Sequence, residues 1–195
     1  MDMREFDDGE LREGFHFRGG HPALDLVATV TGRLKPAQRE LLAEADDLAR
    51  WLVAAGFAGS PLAATPGDLE RARALREAIH AIVDARLAGG EGTPADIAEV
   101  NVAAAGVPAI PQIGEGGRVR LQGGASALLA TLAGEAALLL GGDQASRIRR
   151  CEADGCAMLF LDTSRGGERR WCSMKRCGNK AKVAEFRRRK QGGEA

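Results

Sequence analysis

Four cysteines constrain this chain more than any other feature. Cys151, Cys156, Cys172 and Cys177 are its only cysteines, and they fall within 27 of its 195 residues. Their spacing is Cys-x4-Cys, fifteen residues, then Cys-x4-Cys. One short pair supplies two thiolates from a single turn, and two pairs joined by a hairpin supply the four tetrahedral donors that a structural zinc takes. The intervening residues fit that plan: Met158 to Leu161 is strand-like, Thr163 to Gly167 is a turn, and Arg169, Arg170 and Trp171 lead back to the second pair. After Cys177 a basic helix runs through Lys182, Val183, Phe186 and Arg189. The expectation is a treble-clef-like finger around one structural Zn2+. Free thiols or an iron–sulfur cluster would use the same residues; the pairing argues against the first and the hairpin-and-helix frame against the second. Four cysteine ligands also leave no open position for a catalytic water.

Charge sets this segment apart. The net charge is zero, yet from Arg147 onward there are 14 Lys and Arg against 6 Asp and Glu, while the residues before it carry 13 and 21. A basic tail on an acidic body suggests a module that meets a polyanion, or two halves that neutralise each other across an interface. The candidate nucleic-acid contacts are Arg165, Arg169, Arg170, Lys175, Arg176, Lys180, Lys182, Arg187, Arg188 and Arg189. On a helical wheel they form no single stripe, so no base-reading face is assigned. Trp171 and Phe186 are read as packing around the metal site.

The body reads as mainly helical. Residues 1–14 are polar, acidic and loose, and Phe15 to Arg18 alternates like a short strand ended by Gly19 and Gly20. Residues 22–31 are assigned to a helix opened by Pro22, with a buried strand as the alternative. A second helix is expected from Pro36 to Ala55, with Leu41, Leu42, Ala45, Leu48, Leu52 and Val53 on its inner face. Thr65-Pro66 and Thr93-Pro94 each open a further helix, the latter with Ile97 and Val100 facing in. A β-hairpin over 109–122 and an alanine- and leucine-rich helix from Ala125 to Leu140 complete the body. That last apolar run is broken by Ser126, Thr131, Gly134 and Glu135, so no membrane span is expected. An acidic N-terminus without an apolar signal segment points to a cytoplasmic protein, where clustered cysteines bind metal more readily than they pair.

The motifs carry a resemblance. Arg147 to Cys151, Leu159 to Asp162, Ser164-Arg165, Arg170 to Met174 and Cys177-Gly178-Asn179-Lys180 resemble the CGNR zinc-finger family over about 147–190. Phe15 to Gly20, Ala23 to Val27 and Asp47 to Leu52 are similar to the ABATE region that precedes this finger, spanning much of 15–140. The resemblance implies a stress-induced transcription regulator with a DNA-binding finger and Cys151, Cys156, Cys172 and Cys177 as zinc ligands. Lys180 departs from the arginine of the family motif: the charge is kept and the bidentate fork is lost.

The resulting expectation is a mainly α protein with a small β component: a helical ABATE-like domain over 15–146 and a treble-clef-like zinc finger over 147–190. The finger is expected to contact DNA. The body is expected to sense a small-molecule effector or form a homodimer, with His16, Gly19, Gly20, His21 and Asp25 as the candidate pocket residues. His80 is read as an ordinary helix histidine. No nucleophile–base arrangement stands out, so no enzyme is expected. The alternatives are a structural zinc clip on an enzymatic or ligand-binding helical domain, and a protein-interaction adaptor; RNA is the alternative polyanion.

Overall fold

The computed structural model describes residues 10–192. It is mainly helical, with four two-stranded antiparallel sheets. Residues 1–9 of the loose N-terminal stretch lie outside the described residues. The rest of that stretch is not loose: β1 (Glu10–Arg12) pairs with β2 (Phe15–Phe17) across a turn in which Glu13 and Gly14 both take positive φ. As the alternation predicts, Phe15 and Phe17 are buried and His16 is half-buried between them. Phe17 stacks on Trp51, and Trp51 on Phe57, which anchors the hairpin to the core.

The helix opened by Pro22 is short. α1 (Pro22–Val27) ends where β-branched residues gather, and Val30–Thr31 is strand β3, turned by Gly32 at φ 72°. Its partner is β4 (Arg39–Glu40), which corrects the helix expected from Pro36: α2 starts only at Ala45 (Ala45–Ala54). The reason is a set of tertiary polar contacts. Arg76 from the next helix is buried and holds Glu40 through two 2.7 Å bonds, while Arg73 binds the carbonyl of Leu42. Asp47 then caps the new helix start by accepting from the amides of Ala43 and Glu44.

α3 (Pro66–Leu87) and α4 (Pro94–Ala104) begin at the predicted threonine caps; the hydroxyls of Thr65 and Thr93 accept from the amides of Asp68 and Asp96. α4 packs on α3 and on α5 (Ala125–Gly141) through one edge only. Val100 is therefore buried, whereas Ile97, expected to face in, is 43% exposed. Between them β5 (Ile110–Ile113) and β6 (Val119–Gln122) form the expected hairpin, which lies largely in the open. α5 contributes Leu128, Leu129, Leu132 and Leu139 to one core shared with α1, α2 and α3. No helix among the described residues is long and apolar enough to cross a membrane.

The C-terminal segment opens with β7 (Ile148–Arg150), paired with β8 (Leu159–Leu161) in the register Ile148↔Leu161. This corrects the expected hairpin, in which residues 158–161 lead through a turn into 169–171. The return segment instead crosses beside the knuckle, where the Glu152 amide donates to the Arg170 carbonyl at 3.0 Å. Strand alternation decides the pairing. Ile148, Leu159 and Leu161 enter the main core, and Phe160 points the other way into a second cluster with Cys151, Ala153 and Cys172. The chain ends in α6 (Asn179–Gly192), preceded by a π-helical turn over Met174–Gly178.

Candidate metal centre and basic surface

The two cysteine pairs reach one point from two different local structures. Cys151 closes β7 and Cys156 follows a tight turn in which Gly155 takes φ 70° and the Cys156 amide donates to Ala153 O at 2.9 Å. Cys172 ends the return segment and Cys177 sits in the π-helical turn, whose start is capped by Ser173 Oγ accepting from the Arg176 amide at 3.3 Å. Gly178 is buried beneath it. A Cβ at Gly178 would lie 2.8 Å from Met174 Sδ and 3.5 Å from the Trp171 ring, so the glycine lets the turn close over that ring.

All four Sγ atoms lie within 4.8 Å of one another, with Cys156–Cys172 at 3.9 Å and Cys172–Cys177 at 3.6 Å. Thiolates about 2.3 Å from a tetrahedral ion sit about 3.8 Å apart, so the spacing fits a metal and far exceeds a disulfide bond. None of the four is in a disulfide. Hydrogen bonds from neighbouring cysteines draw the Cys151 thiol well below its ordinary pKa, whereas Cys172 is raised by holding its proton toward Cys151 and Cys156. Burial and the charge of Cys156 push Cys177 up to about 11. Crowded thiolates resist joint ionisation, and a dication at their centre removes that penalty.

A shell of contacts holds the ligands. The Cys172 amide donates to Cys151 Sγ at 3.4 Å, and the Cys151 amide to Met158 O at 2.9 Å. Arg169 lies 4.8 Å over the Phe160 ring and donates to the carbonyls of Trp171 and Cys172. Asp162 is fully buried and accepts from the amides of Ser164 and Arg169, both at 2.9 Å. Burial alone would raise its pKa; these bonds and the Arg147 charge outweigh it and bring the carboxyl below its ordinary value. Sequence reasoning missed Asp162 as a framework residue. Its available signal was an acid directly following an apolar strand and preceding a Thr-Ser turn.

The basic residues divide by what they touch. Arg169 is half-buried against Phe160 and the two carbonyls, Arg170 pairs with Glu152 at 2.6 Å and lies over Trp171, and Arg189 pairs with Glu185. Arg165, Lys175, Arg176, Lys180, Lys182, Arg187 and Arg188 are exposed. Trp171 packs beside the cysteine cluster as expected. Phe186, expected in the same packing, is instead 60% exposed, and Val183 is 50% exposed. The reason is that α6 adds no residue to either apolar cluster.

Of the candidate pocket residues of the body, four make contacts within the fold and one lines a described cleft. His21 caps α1, its Nδ1 accepting from the Ala23 amide at 3.2 Å, and burial lowers its pKa to about 4. Asp25 is buried and accepts from the Gly19 amide at 2.7 Å; burial raises it to about 8. A Cβ on Gly19 would lie 2.7 Å from Leu24 Cβ, and one on Gly20 would lie 3.4 Å from Leu161 O. Those four residues build the joint between α1 and β8. His16 lines a cleft between the body and the cysteine knuckle, with its Nδ1 2.8 Å from Arg18 Nη2. Burial, then the charges of Arg18 and Arg176, lower His16 to about 4. His80 is half-buried on α3, its pKa lowered by burial.

A helical body docked to a four-cysteine knuckle, hairpin and helix has the architecture of a protein that carries a C-terminal zinc finger. Residues 20–143 match the ABATE family, described as "putative stress-induced transcription regulator", and residues 147–190 match the CGNR zinc finger. The chain belongs to the ABATE family. No curated protein matches it.

Proposed function

We propose that the protein is a zinc-dependent, DNA-binding transcription regulator whose finger presents α6 and its flanking turns to the phosphate backbone. The observation that carries this reading is the exposure of α6. Lys180, Lys182, Arg187, Arg188, Arg189 and Lys190 stand on a helix whose apolar residues have found no core. A helix that buries nothing, ends a zinc module and carries such a positive charge gains most from a polyanion. Phosphate contacts need no aligned stripe of cations, which suits the scattered charges, and Lys180 keeps the charge that a simple phosphate contact needs.

Zinc fits as the ion, with Cys151, Cys156, Cys172 and Cys177 as its ligands, because four cysteine donors and a closed site match its structural coordination. When bound it cross-links the knuckle to the turn that launches α6. The division at 146/147 into a helical body and a finger is supported by the separate cysteine cluster, although β7 and β8 also seal the body's core. A full set of protein ligands, which leaves no position for a reacting water, favours a non-catalytic protein, and the free thiols suit the reducing cytoplasm.

Fluorescence anisotropy of the zinc-loaded chain with mixed-sequence duplex DNA across a salt series tests this reading. Salt-dependent binding, abolished on zinc removal, is the expected result. Salt-independent or undetectable binding would remove the regulator reading and leave the zinc as a structural clip.

A further inference from the structure

The surface between the body and the finger contains a cleft of about 300 Å³. Its basic lining comes from both sides: Arg18, Arg33 and Lys35 from the body and Lys180 from the start of α6, with Asp154 as the one carboxylate. Glu77 neutralises Arg33. The −2 formal charge of a zinc tetrathiolate, two of whose cysteines, Cys156 and Cys177, also line the cleft, offsets the rest, so the cations act by local contact and not by net charge. The lining also includes Val27, Val30, Ala157 and Leu159, of which Val27 and Leu159 are buried in the main core and Val30 and Ala157 are partly exposed.

Two of the cations are incompletely satisfied. Arg33 gives both terminal nitrogens to Glu77 at 2.8 Å, and Arg18 gives one to His16, but the Nε atoms of both are buried with no hydrogen-bond partner among the described residues. A buried guanidinium N–H without an acceptor costs free energy, and an anionic oxygen admitted by a small shift of either side chain would remove that cost. Neutral His16 accepts from Arg18.

We infer that this cleft binds a small organic anion, with a carboxylate or phosphate head among the cations and a short apolar body against Val30 and Ala157. Such a ligand would bridge α1 and β3 to the cysteine knuckle and fix the finger relative to the body. Its role as an effector of DNA binding rests on the regulator proposal; its binding does not.

The test is calorimetric titration of the zinc-loaded full chain with butyrate, monobutyl phosphate and acetate at constant ionic strength set with chloride. One of the two four-carbon anions should saturate at one site per chain and bind more tightly than acetate. Lys35→Gln, and separately Ala157→Asp, should each weaken it about tenfold or more, since one removes a cation from the mouth and the other adds an anion. The triple variant Arg187→Gln, Arg188→Gln, Arg189→Gln should bind it as the parent does. No saturable binding by either four-carbon anion overturns the inference, as does binding insensitive to both cleft variants or abolished in the triple variant. DNA binding measured on the same samples keeps the two readings apart: DNA affinity without anion binding removes only the cleft site, and anion binding without DNA affinity removes only the regulator.

Discussion

The amide of Leu161 donates to the carbonyl oxygen of Gly19 at 2.7 Å, tying the inner strand of the cysteine module to the start of α1. Gly19 in turn donates its own amide to Asp25. Three residues thus link the body's first helix to the strand whose next-door residue, Phe160, supports the metal ligands. The finger is docked by backbone and core contacts together, since Leu159 and Leu161 belong to the body's apolar cluster.

Alternation along β8 predicts that neighbouring substitutions fail differently. Leu159→Ala should lower the stability of the body by about 2–5 kcal/mol, and Phe160→Ala should cost about 3–5 kcal/mol, because both side chains are fully buried. The second penalty falls on the metal module. Thermal unfolding followed by CD, beside zinc release to a chromogenic chelator, checks the contrast: Leu159→Ala should shift the main transition and Phe160→Ala should speed metal release.

Cys172→Ser should abolish stoichiometric zinc binding, since Cys172 is fully buried at the centre of the cluster. Most of the far-UV CD signal should survive, because α1 to α5 pack in the main core, which contains none of the four cysteines. Metal analysis after gel filtration decides it, and one retained zinc per chain would count against this ligand set.

Asp25 gives the body a pH dependence of known sign. Burial raises its folded pKa to about 8 from the ordinary 3.8, so its contribution to stability is present at low pH and is lost as pH rises toward 8. His16 and His21, lowered to about 4, act oppositely: their contribution is present above 6.5 and is lost as pH falls toward 4. Asp25→Asn keeps an acceptor for the Gly19 amide and removes the ionisable group. The melting temperature of the variant relative to the parent should therefore rise steadily between pH 4 and pH 8. A constant difference would show that Asp25 does not titrate in that window.

The basic end of α6 sets a salt slope. Each phosphate that the protein no longer neutralises reduces the slope of log K against log salt by about 0.9. Replacing Arg187, Arg188 and Arg189 by glutamine should therefore flatten it by about 2–3 if all three meet phosphates. Anisotropy titrations between 50 and 200 mM salt (on the order of the range where such slopes are read) check this, and an unchanged slope would place the binding surface elsewhere on the finger.

Much of this protein was legible in the sequence because the decisive signals are local. The spacing of Cys151, Cys156, Cys172 and Cys177 announced a common site, and the Thr-Pro caps at 65–66 and 93–94 placed the starts of α3 and α4, since a threonine hydroxyl meets its amide three residues away in any context. Alternation of Phe15, His16 and Phe17 gave β2 its inner face. Only the tertiary structure decided the rest. Glu40 lies in a strand because Arg76, 36 residues later, holds its carboxylate, and local periodicity carries no trace of such a partner. β8 pairs with β7 because the main core takes Ile148, Leu159 and Leu161 on one face, and Phe186 stays exposed because α6 joins neither apolar cluster. Capping and ligand spacing act over a few residues and are written in the chain; strand partners, buried ion pairs and the reach of a core depend on which distant surfaces meet.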